Sequence, residues 1–389
     1  MPIFFEGFKD WEETSMRVMV VDDDPWLAGL LKQLVLNKRP GAEVDCYGDV
    51  KSAYAGWQSN KYQLILADWN LPDDSGLTLF KLIRKHDKET PLVMITGRAD
   101  RESVLAIRPL AISAYITKPF YVPKVLECLE SLLPADNPTV AHELVREDLT
   151  TFLSGRSAAD LDLPLMHQVK DRLMLAALGT PLDFRELAEE WQHDPALCTF
   201  LIAAANSPAY LLGEQRCASL VDALKRLGGR TSLNLAIALA LRQTSSSTNV
   251  LLSVFIQGHL DASERLAERV VQLARQAGVE HGALQAAAIL HRLGELCVLQ
   301  QVQIWAERGN HLDDGAVIQA CDDYAKPFAI ALKAYWGVPI TLRELIGAVY
   351  ALPQFQVRRD QVLMRLAAAM SNSEPADVIE SLKRLAGIS

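Results

Sequence analysis

Four apolar runs in the first third of the chain each end on polar side chains. Together these side chains provide three carboxylates, one hydroxyl and one amine. Asp22 and Asp23 come directly after the first run, and Asp68 ends a later, nearly continuous one. Thr96 and Lys118 occupy the ends of two more. Oxygen ligands of this kind suit Mg²⁺. An acidic cluster with a nearby hydroxyl and ammonium group therefore indicates a site for transferring a phosphoryl group to a carboxylate.

The elements that must position these groups are short strands alternating with amphipathic segments. Apolar or β-branched runs at 18–21, 44–47, 64–67, 92–95 and 114–116 predict five strands. Between them, apolar residues recur at helical spacing, which predicts five helices. This alternation predicts an α/β doubly wound five-stranded parallel sheet. Ligands of such sheets bind outside the carboxyl ends of the strands, so we expect the polar side chains to converge there.

With these motifs in this order, residues 17–133 resemble the receiver domain of two-component response regulators, which has a flavodoxin-like fold. The resemblance implies that Asp68 accepts a phosphoryl group from a sensor histidine kinase or a phosphotransfer protein. It also implies that Asp22 and Asp23 hold Mg²⁺ together with Asp68 and the backbone carbonyl of Asn70.

Three further positions match the receiver pattern. By the resemblance, Lys118 neutralises the phosphoryl oxygens, Thr96 hydrogen-bonds them, and Tyr115 changes rotamer on activation. The alternative is purely structural: residues 22–24 would be an acidic helix cap, and Lys118 would belong to a turn. Any single motif fits that alternative, whereas the whole set in order favours the phosphorylation site.

After a proline-containing boundary at 134–139, helical patterns replace the strands. We expect an all-α helical bundle, with helices that include 261–277, 282–293, 313–324 and 327–336. Residues 155–370 resemble the HDOD domain, a helical relative of metal-dependent HD phosphohydrolases. The resemblance rests on the segments 187–197, 203–207, 219–229, 287–296 and 335–339. The predicted organisation is an N-terminal extension at 1–15, a receiver at 16–133, a partly helical linker at 134–155, the HDOD-like domain at 156–372 and a C-terminal helix at 373–389.

The residues that hold metal in HD phosphohydrolases are largely replaced in this sequence. The doublet position reads His291-Arg292, and an arginine would repel a cation. Two further histidine positions align with Ala262 and Ala325. We therefore expect a non-catalytic domain that binds an unknown downstream protein. The alternative is a receiver-controlled, metal-dependent phosphohydrolase acting on a nucleotide.

Composition limits the remaining possibilities. The net charge is −9, with acids exceeding bases both before and after residue 135, which disfavours nucleic-acid binding. The six cysteines are widely spaced and fit a reducing cytoplasm. The start of the chain lacks the pattern of a signal peptide, and the apolar runs are short for a membrane span. We expect a cytoplasmic protein without membrane insertion, and a homodimer is one open possibility.

Overall fold

The computed structural model describes residues 16–97, 103, 106–133, 147–178, 184–211, 215–242 and 250–388. The expected extension at 1–15 and most of the linker lie outside these residues. The chain divides into two compact units, 1–141 and 142–389, and each is considered by itself.

The N-terminal unit contains the predicted five-stranded sheet. Its strands are β1 (Arg17–Val21), β2 (Glu43–Tyr47), β3 (Leu64–Asp68), β4 (Leu92–Thr96) and β5 (Ala114–Thr117). All neighbours are parallel, and the order is β2-β1-β3-β4-β5. The helices are α1 (Pro25–Lys38), α2 (Val50–Ser59), α3 (Gly76–Arg84) and α4 (Val122–Leu132). The doubly wound fold is thus confirmed, while the helix expected between β4 and β5 falls largely outside the described residues.

Local chemistry explains where the helices of this unit begin. The side chain of Asp24 caps α1, with Pro25 at its first position, and Asp49 caps α2. Ser75 caps α3 in the same way. Every residue of β3 and β4 is buried, as expected for central strands covered on both faces. The strand ends are therefore the places where polar side chains reach an open edge.

Among the residues that the structure describes, the C-terminal unit consists of helices joined by loops. Its helices are α5 (Leu149–Ser154), α6 (His167–Ala177), α7 (Phe184–Trp191), α8 (Pro195–Ala205), α9 (Leu220–Leu227), α10 (Gly229–Arg242), α11 (Val250–Ala277), α12 (Gly282–Ile289), α13 (Leu293–Glu307), α14 (Asp314–Tyr335), α15 (Ile340–Ala348), α16 (Arg359–Ser371) and α17 (Ala376–Ala386). The predicted all-α bundle is confirmed.

Three helix predictions in this unit were wrong. Helix α11 begins at Val250 rather than at 261, and α13 was not foreseen at all. The separate helices expected at 313–324 and 327–336 are one helix, α14, with Pro327 inside it. Burial of one apolar face against neighbouring helices stabilises a helix through a proline that would end it in isolation.

An apolar segment, Gly282–Glu307, is long enough by length and composition to cross a membrane. However, 72% of its apolar window is buried inside the unit. The segment is also divided between α12 and α13. It is therefore a central element of the helical core.

Gly294 marks a close approach between α13 and α14. A Cβ atom at this position would lie 2.2 Å from the backbone oxygen of Ala325. We expect Gly294→Ala to destabilise the unit by about 2 kcal/mol, because backbone atoms must move apart. Urea denaturation measures the change. Gly258→Ala is the matched control: no atom lies within 4 Å of the added methyl, and helix propensity predicts a gain of up to about 1 kcal/mol. Equal stability of the two variants would contradict the expected clash.

Candidate functional site

The sheet order brings the predicted side chains to one edge. Strand β1 lies beside β3 with Val21 opposite Ala67, so Asp22 and Asp68 follow on adjacent strands. Strand β4 lies beside β5 with Thr96 opposite Thr117. Because β3 and β4 are also neighbours, all four strand ends face the same crevice.

Lys118 links the two buried carboxylates of the crevice. Its Nζ atom lies 2.8 Å from Oδ2 of Asp22 and 2.8 Å from Oδ2 of Asp68. Its backbone N–H donates to the carbonyl of Thr96 at 2.7 Å, which holds the lysine at the end of β4. Burial alone lowers the pKa of Lys118, but the charges of Asp22 and Asp68 outweigh it and raise the pKa. The amine therefore stays charged.

Asp22 is a buried acid of this site whose pKa is raised. Burial raises its pKa to about 6, the contact with Lys118 opposes that rise, and the Asp68 carboxylate adds to it. The crevice thus contains two carboxylates that repel each other when both are ionised, and Lys118 offsets that repulsion by contacting both.

The arrangement fits a divalent cation. Asp22, Asp23 and Asp68 each offer a carboxylate oxygen, and the three atoms lie within 4.8 Å of one another. Oδ1 of Asp68 is buried and has no hydrogen-bond partner, a costly state that a bound cation would relieve. Within the described part of the chain, no other group of at least three His, Cys, Asp or Glu side chains meets this distance. The donor set, oxygen only, matches Mg²⁺.

The structure separates the roles of three consecutive acids. Asp24 caps α1 by accepting from the N–H of Trp26 at 2.9 Å, and its own N–H donates to Oδ1 of Asp22 at 3.0 Å. Asp22 is buried in the crevice and Asp23 is exposed at its rim. The helix-cap alternative therefore applies to Asp24, while Asp22 and Asp23 belong to the acidic cluster.

The loop after β3 is folded tightly beneath Asp68. Asn70 forms an isolated antiparallel bridge with Ser75, and the N–H of Gly76 donates to the carbonyl of Trp69 at 2.9 Å. A Cβ on Gly76 would lie 2.0 Å from the backbone oxygen of Asp68. Only glycine allows this approach, so Gly76 shapes the site without any side chain. Sequence reasoning missed this role, although a glycine that begins a helix close to a strand end is a usable signal.

The other predicted receiver positions are where the pattern placed them. Thr96 ends β4 and is fully buried, and Tyr115 in β5 is half-buried against the apolar core. Neither observation tests a rotamer change, so the switch role of Tyr115 stays a prediction.

In the helical unit, His291, Arg292 and Ala325, which align with HD metal-ligand positions, contact other protein groups. Nδ1 of His291 donates to the carbonyl of Ala288 at 2.7 Å. An Nη1 N–H of Arg292 donates to Nδ1 of His259 at 3.2 Å. Ala262 lies on the same helix as His259, three residues further along, and has no ligand atom. The backbone oxygen of Ala325 approaches Gly294. The expected loss of the HD metal site stays a prediction.

His259 was missed in the sequence, although it lies one helical turn before Ala262 and thus on the same face. Burial and the charge of Arg292 lower its pKa to about 4. The pKa of His291 is also lowered to about 4, first by burial and then by Arg292 and His259, against the opposing bond to Ala288. Both rings are therefore neutral at physiological pH.

These neutral histidines predict a pH dependence of stability. Because the pKa of His291 falls from 6.5 to about 4 on folding, the unfolded chain binds the proton more tightly. The contribution of the His291 ring to the free energy of unfolding is complete above pH 6.5 and is lost as pH falls towards 4. We expect acidification over this range to cost about 2 kcal/mol, less than the full shift implies because water screens a half-buried ring. Urea midpoints of the wild type and His291→Gln measure it: the difference between them should change with pH, and a constant difference would contradict the assignment.

The sheet order and the acidic crevice define an α/β domain of the receiver class. Family models agree: the response regulator receiver domain matches residues 18–130, and the HDOD domain matches residues 163–352. The chain therefore combines a response regulator receiver domain with an HDOD domain.

Known regulatory proteins are similar to part of this chain. The transcriptional regulatory protein PmrA of Pectobacterium parmentieri is 26% identical over 189 residues, 46% of this chain and 84% of that protein. The regulatory protein VanRB of Enterococcus faecalis is 30% identical over 119 residues, 31% of this chain and 53% of that protein, so the chain spans about half of its length. Among solved structures, the non-phosphorylated HemR receiver domain of Leptospira biflexa has 26% identity and a TM-score of 0.29, covering 32% of this chain and 99% of that one.

Proposed function

We propose that this response regulator accepts a phosphoryl group on Asp68 and transmits the change to a non-catalytic HDOD output domain. The observation that carries the proposal is the buried, unpartnered Oδ1 of Asp68 beside Lys118 and two further carboxylates. This oxygen has a free lone pair, and it lies in a pocket that already contains the positively charged ammonium group of Lys118.

In the proposed step, a carboxylate oxygen of Asp68 attacks the phosphorus of a phosphorylated histidine on a sensor kinase or phosphotransfer protein. The O–P bond forms as the P–N bond breaks, and the electron pair returns to the imidazole nitrogen. Lys118 offsets charge on the transferred oxygens, and the hydroxyl of Thr96 donates to one of them. Asp22, Asp23 and Asp68, with the carbonyl of Asn70, would hold Mg²⁺. When bound, Mg²⁺ supplies the charge neutralisation that allows an anionic phosphoryl group to approach.

Acetyl phosphate labelling of the full-length protein tests this step. Intact-mass spectrometry should detect one added phosphoryl group in the presence of Mg²⁺ and none in the presence of EDTA. Hydroxylamine should remove the group, because it cleaves acyl phosphates and leaves phosphate esters intact. Labelling that resists hydroxylamine or needs no divalent cation would contradict the proposal.

For residues 156–372, the HDOD-like part, we propose that the phosphorylation state controls binding of a downstream protein. The pairing of Arg292 with His259 supports a domain without catalytic metal, since it holds a positive guanidinium group at the doublet position. Pull-downs with acetyl phosphate-treated wild type and with an Asp68→Asn protein should recover different partners. Metal analysis distinguishes the alternative: stoichiometric Fe, Mn or Zn together with nucleotide hydrolysis would establish a phosphohydrolase instead.

A further inference from the structure

The carboxylate of Asp73, in the loop after β3, caps a helix that belongs to a different strand–helix pair. The N–H of Val50 donates to Oδ1 of Asp73 at 2.9 Å, and the N–H of Lys51 donates to Oδ2 at 2.9 Å. These are the first two residues of α2, whose N-terminus attracts negative charge. The bond from Val50 is the largest cause of the lowered pKa of Asp73. Asp73 therefore joins two loops through a charged pair of hydrogen bonds.

The strand order shows what these bonds span. Strand β1 lies between β2 and β3, so a loop after β3 reaches the helix after β2 only by crossing the carboxyl end of β1. Asp22 and Asp23 lie at that end. The end of β1 is also tied to β2, because the N–H of Asp22 donates to the carbonyl of Tyr47 at 3.0 Å. Asp73 thus connects the loop after β3 to the start of α2, across the end of β1 where the acidic cluster lies.

The loop held by Asp73 is the one that contains Asn70. Its neighbour Asp74 has a different role: it accepts from the hydroxyl of Thr78 at 2.9 Å and from the N–H of Ser75 at 2.6 Å, both at the start of α3. One acid therefore ties the loop to α2, and the next ties it to α3. Only the first tie fixes the loop relative to the end of β1.

We infer that Asp73 is a positioning residue for the Mg²⁺ site, an inference that rests on the proposed function. Asp73 touches neither the cation nor the phosphoryl group. It sets the distance between the carbonyl of Asn70 on one side of the site and the carboxylates of Asp22 and Asp23 on the other. Groups that orient ligands in this way typically affect metal affinity strongly.

The test compares Asp73→Ala with Asp74→Ala in the full-length protein. Mg²⁺ titrations are followed by tryptophan fluorescence, since Trp69 adjoins Asp68. Electron paramagnetic resonance of free Mn²⁺, which also prefers oxygen ligands, gives a second readout. We expect Asp73→Ala to bind Mg²⁺ and Mn²⁺ about tenfold more weakly than the wild type, and Asp74→Ala to bind them like the wild type. Asp73→Asn, which keeps one acceptor oxygen, should be intermediate.

Acetyl phosphate labelling separates positioning from a general loss of structure. Saturating Mg²⁺ should restore the labelling rate of Asp73→Ala, while the Mg²⁺ concentration at half-maximal rate rises by the same factor of about ten. An unchanged Mg²⁺ midpoint in Asp73→Ala and Asp73→Asn overturns the inference, as does a rate that saturating Mg²⁺ leaves low. Failure of the wild type itself to bind Mg²⁺ or accept the label refutes the proposed function instead.

Discussion

Asp68→Asn should eliminate phosphorylation by acetyl phosphate and by a cognate kinase, reducing the label to the level of an untreated sample. The substitution removes the nucleophilic carboxylate and replaces it with an amide of almost the same shape. Asn keeps an oxygen that accepts from Lys118, which lies 2.8 Å from Oδ2 of Asp68 in the wild type. One charge fewer in a buried acidic cluster also reduces repulsion with Asp22, so we expect the melting temperature to be equal or higher.

Intact-mass spectrometry measures the label and circular dichroism the melting. Asp74→Asn is the matched control: it neutralises an exposed acid on the loop that follows Asp68 and should be labelled like the wild type. Undiminished labelling of a folded Asp68→Asn protein would rule out Asp68 as the acceptor.

Lys118→Met should weaken the receiver unit and disconnect phosphorylation from output. Methionine keeps the length of the side chain but removes the charge that Asp22 and Asp68 share. Removal of one partner from a buried ion pair costs about 3–5 kcal/mol, but Asp22 is able to take up a proton. We therefore expect a loss of about 2 kcal/mol without divalent cation.

Two further observations test this role of Lys118. Mg²⁺ should recover part of the lost stability, because it supplies positive charge to the same carboxylates. A labelled Lys118→Met protein should also fail to show the partner change that we expect on phosphorylation of the wild type, because the phosphoryl group lacks its cationic contact. Lys124→Met, at an exposed position of α4, controls for the loss of a lysine. Normal switching and full stability of Lys118→Met would contradict the role assigned to Lys118.

The receiver fold and its acidic cluster were predictable because each signal is local. An apolar run that ends on a polar residue specifies both a strand and the identity of the group at its end. The parallel arrangement then brings Asp22, Asp68, Thr96 and Lys118 to one edge without further information. Contacts that depend on the path of a loop were not predictable. The cap that Asp73 provides to α2 joins residues 22 or 23 positions apart, and nothing in the sequence of either segment indicates the other.

The helical unit was harder to predict because tertiary packing overrides local signals there. Pro327 indicated a helix boundary, yet α14 continues through it. The short apolar stretch after Arg292 lacked a polar face, so α13 carried no amphipathic pattern, as is typical of a helix buried on all sides. The expected loss of the HD ligands rests on single residues and stays a prediction. The partner of Arg292 was not predictable, because His259 lies on a helix whose start was placed too late.

The pairing of Arg292 with His259 also affects how the helical unit depends on its surroundings. HD phosphohydrolases depend on a bound metal, which dissociates and must be supplied. Here the positive charge is part of the polypeptide, 3.2 Å from the ring nitrogen that it contacts. This charge is present at any metal concentration, so we expect chelators and metal starvation to leave the stability of the helical unit unchanged. Under the proposed function, we expect divalent cations to act on the receiver, so that a cation-dependent input is combined with a cation-independent output.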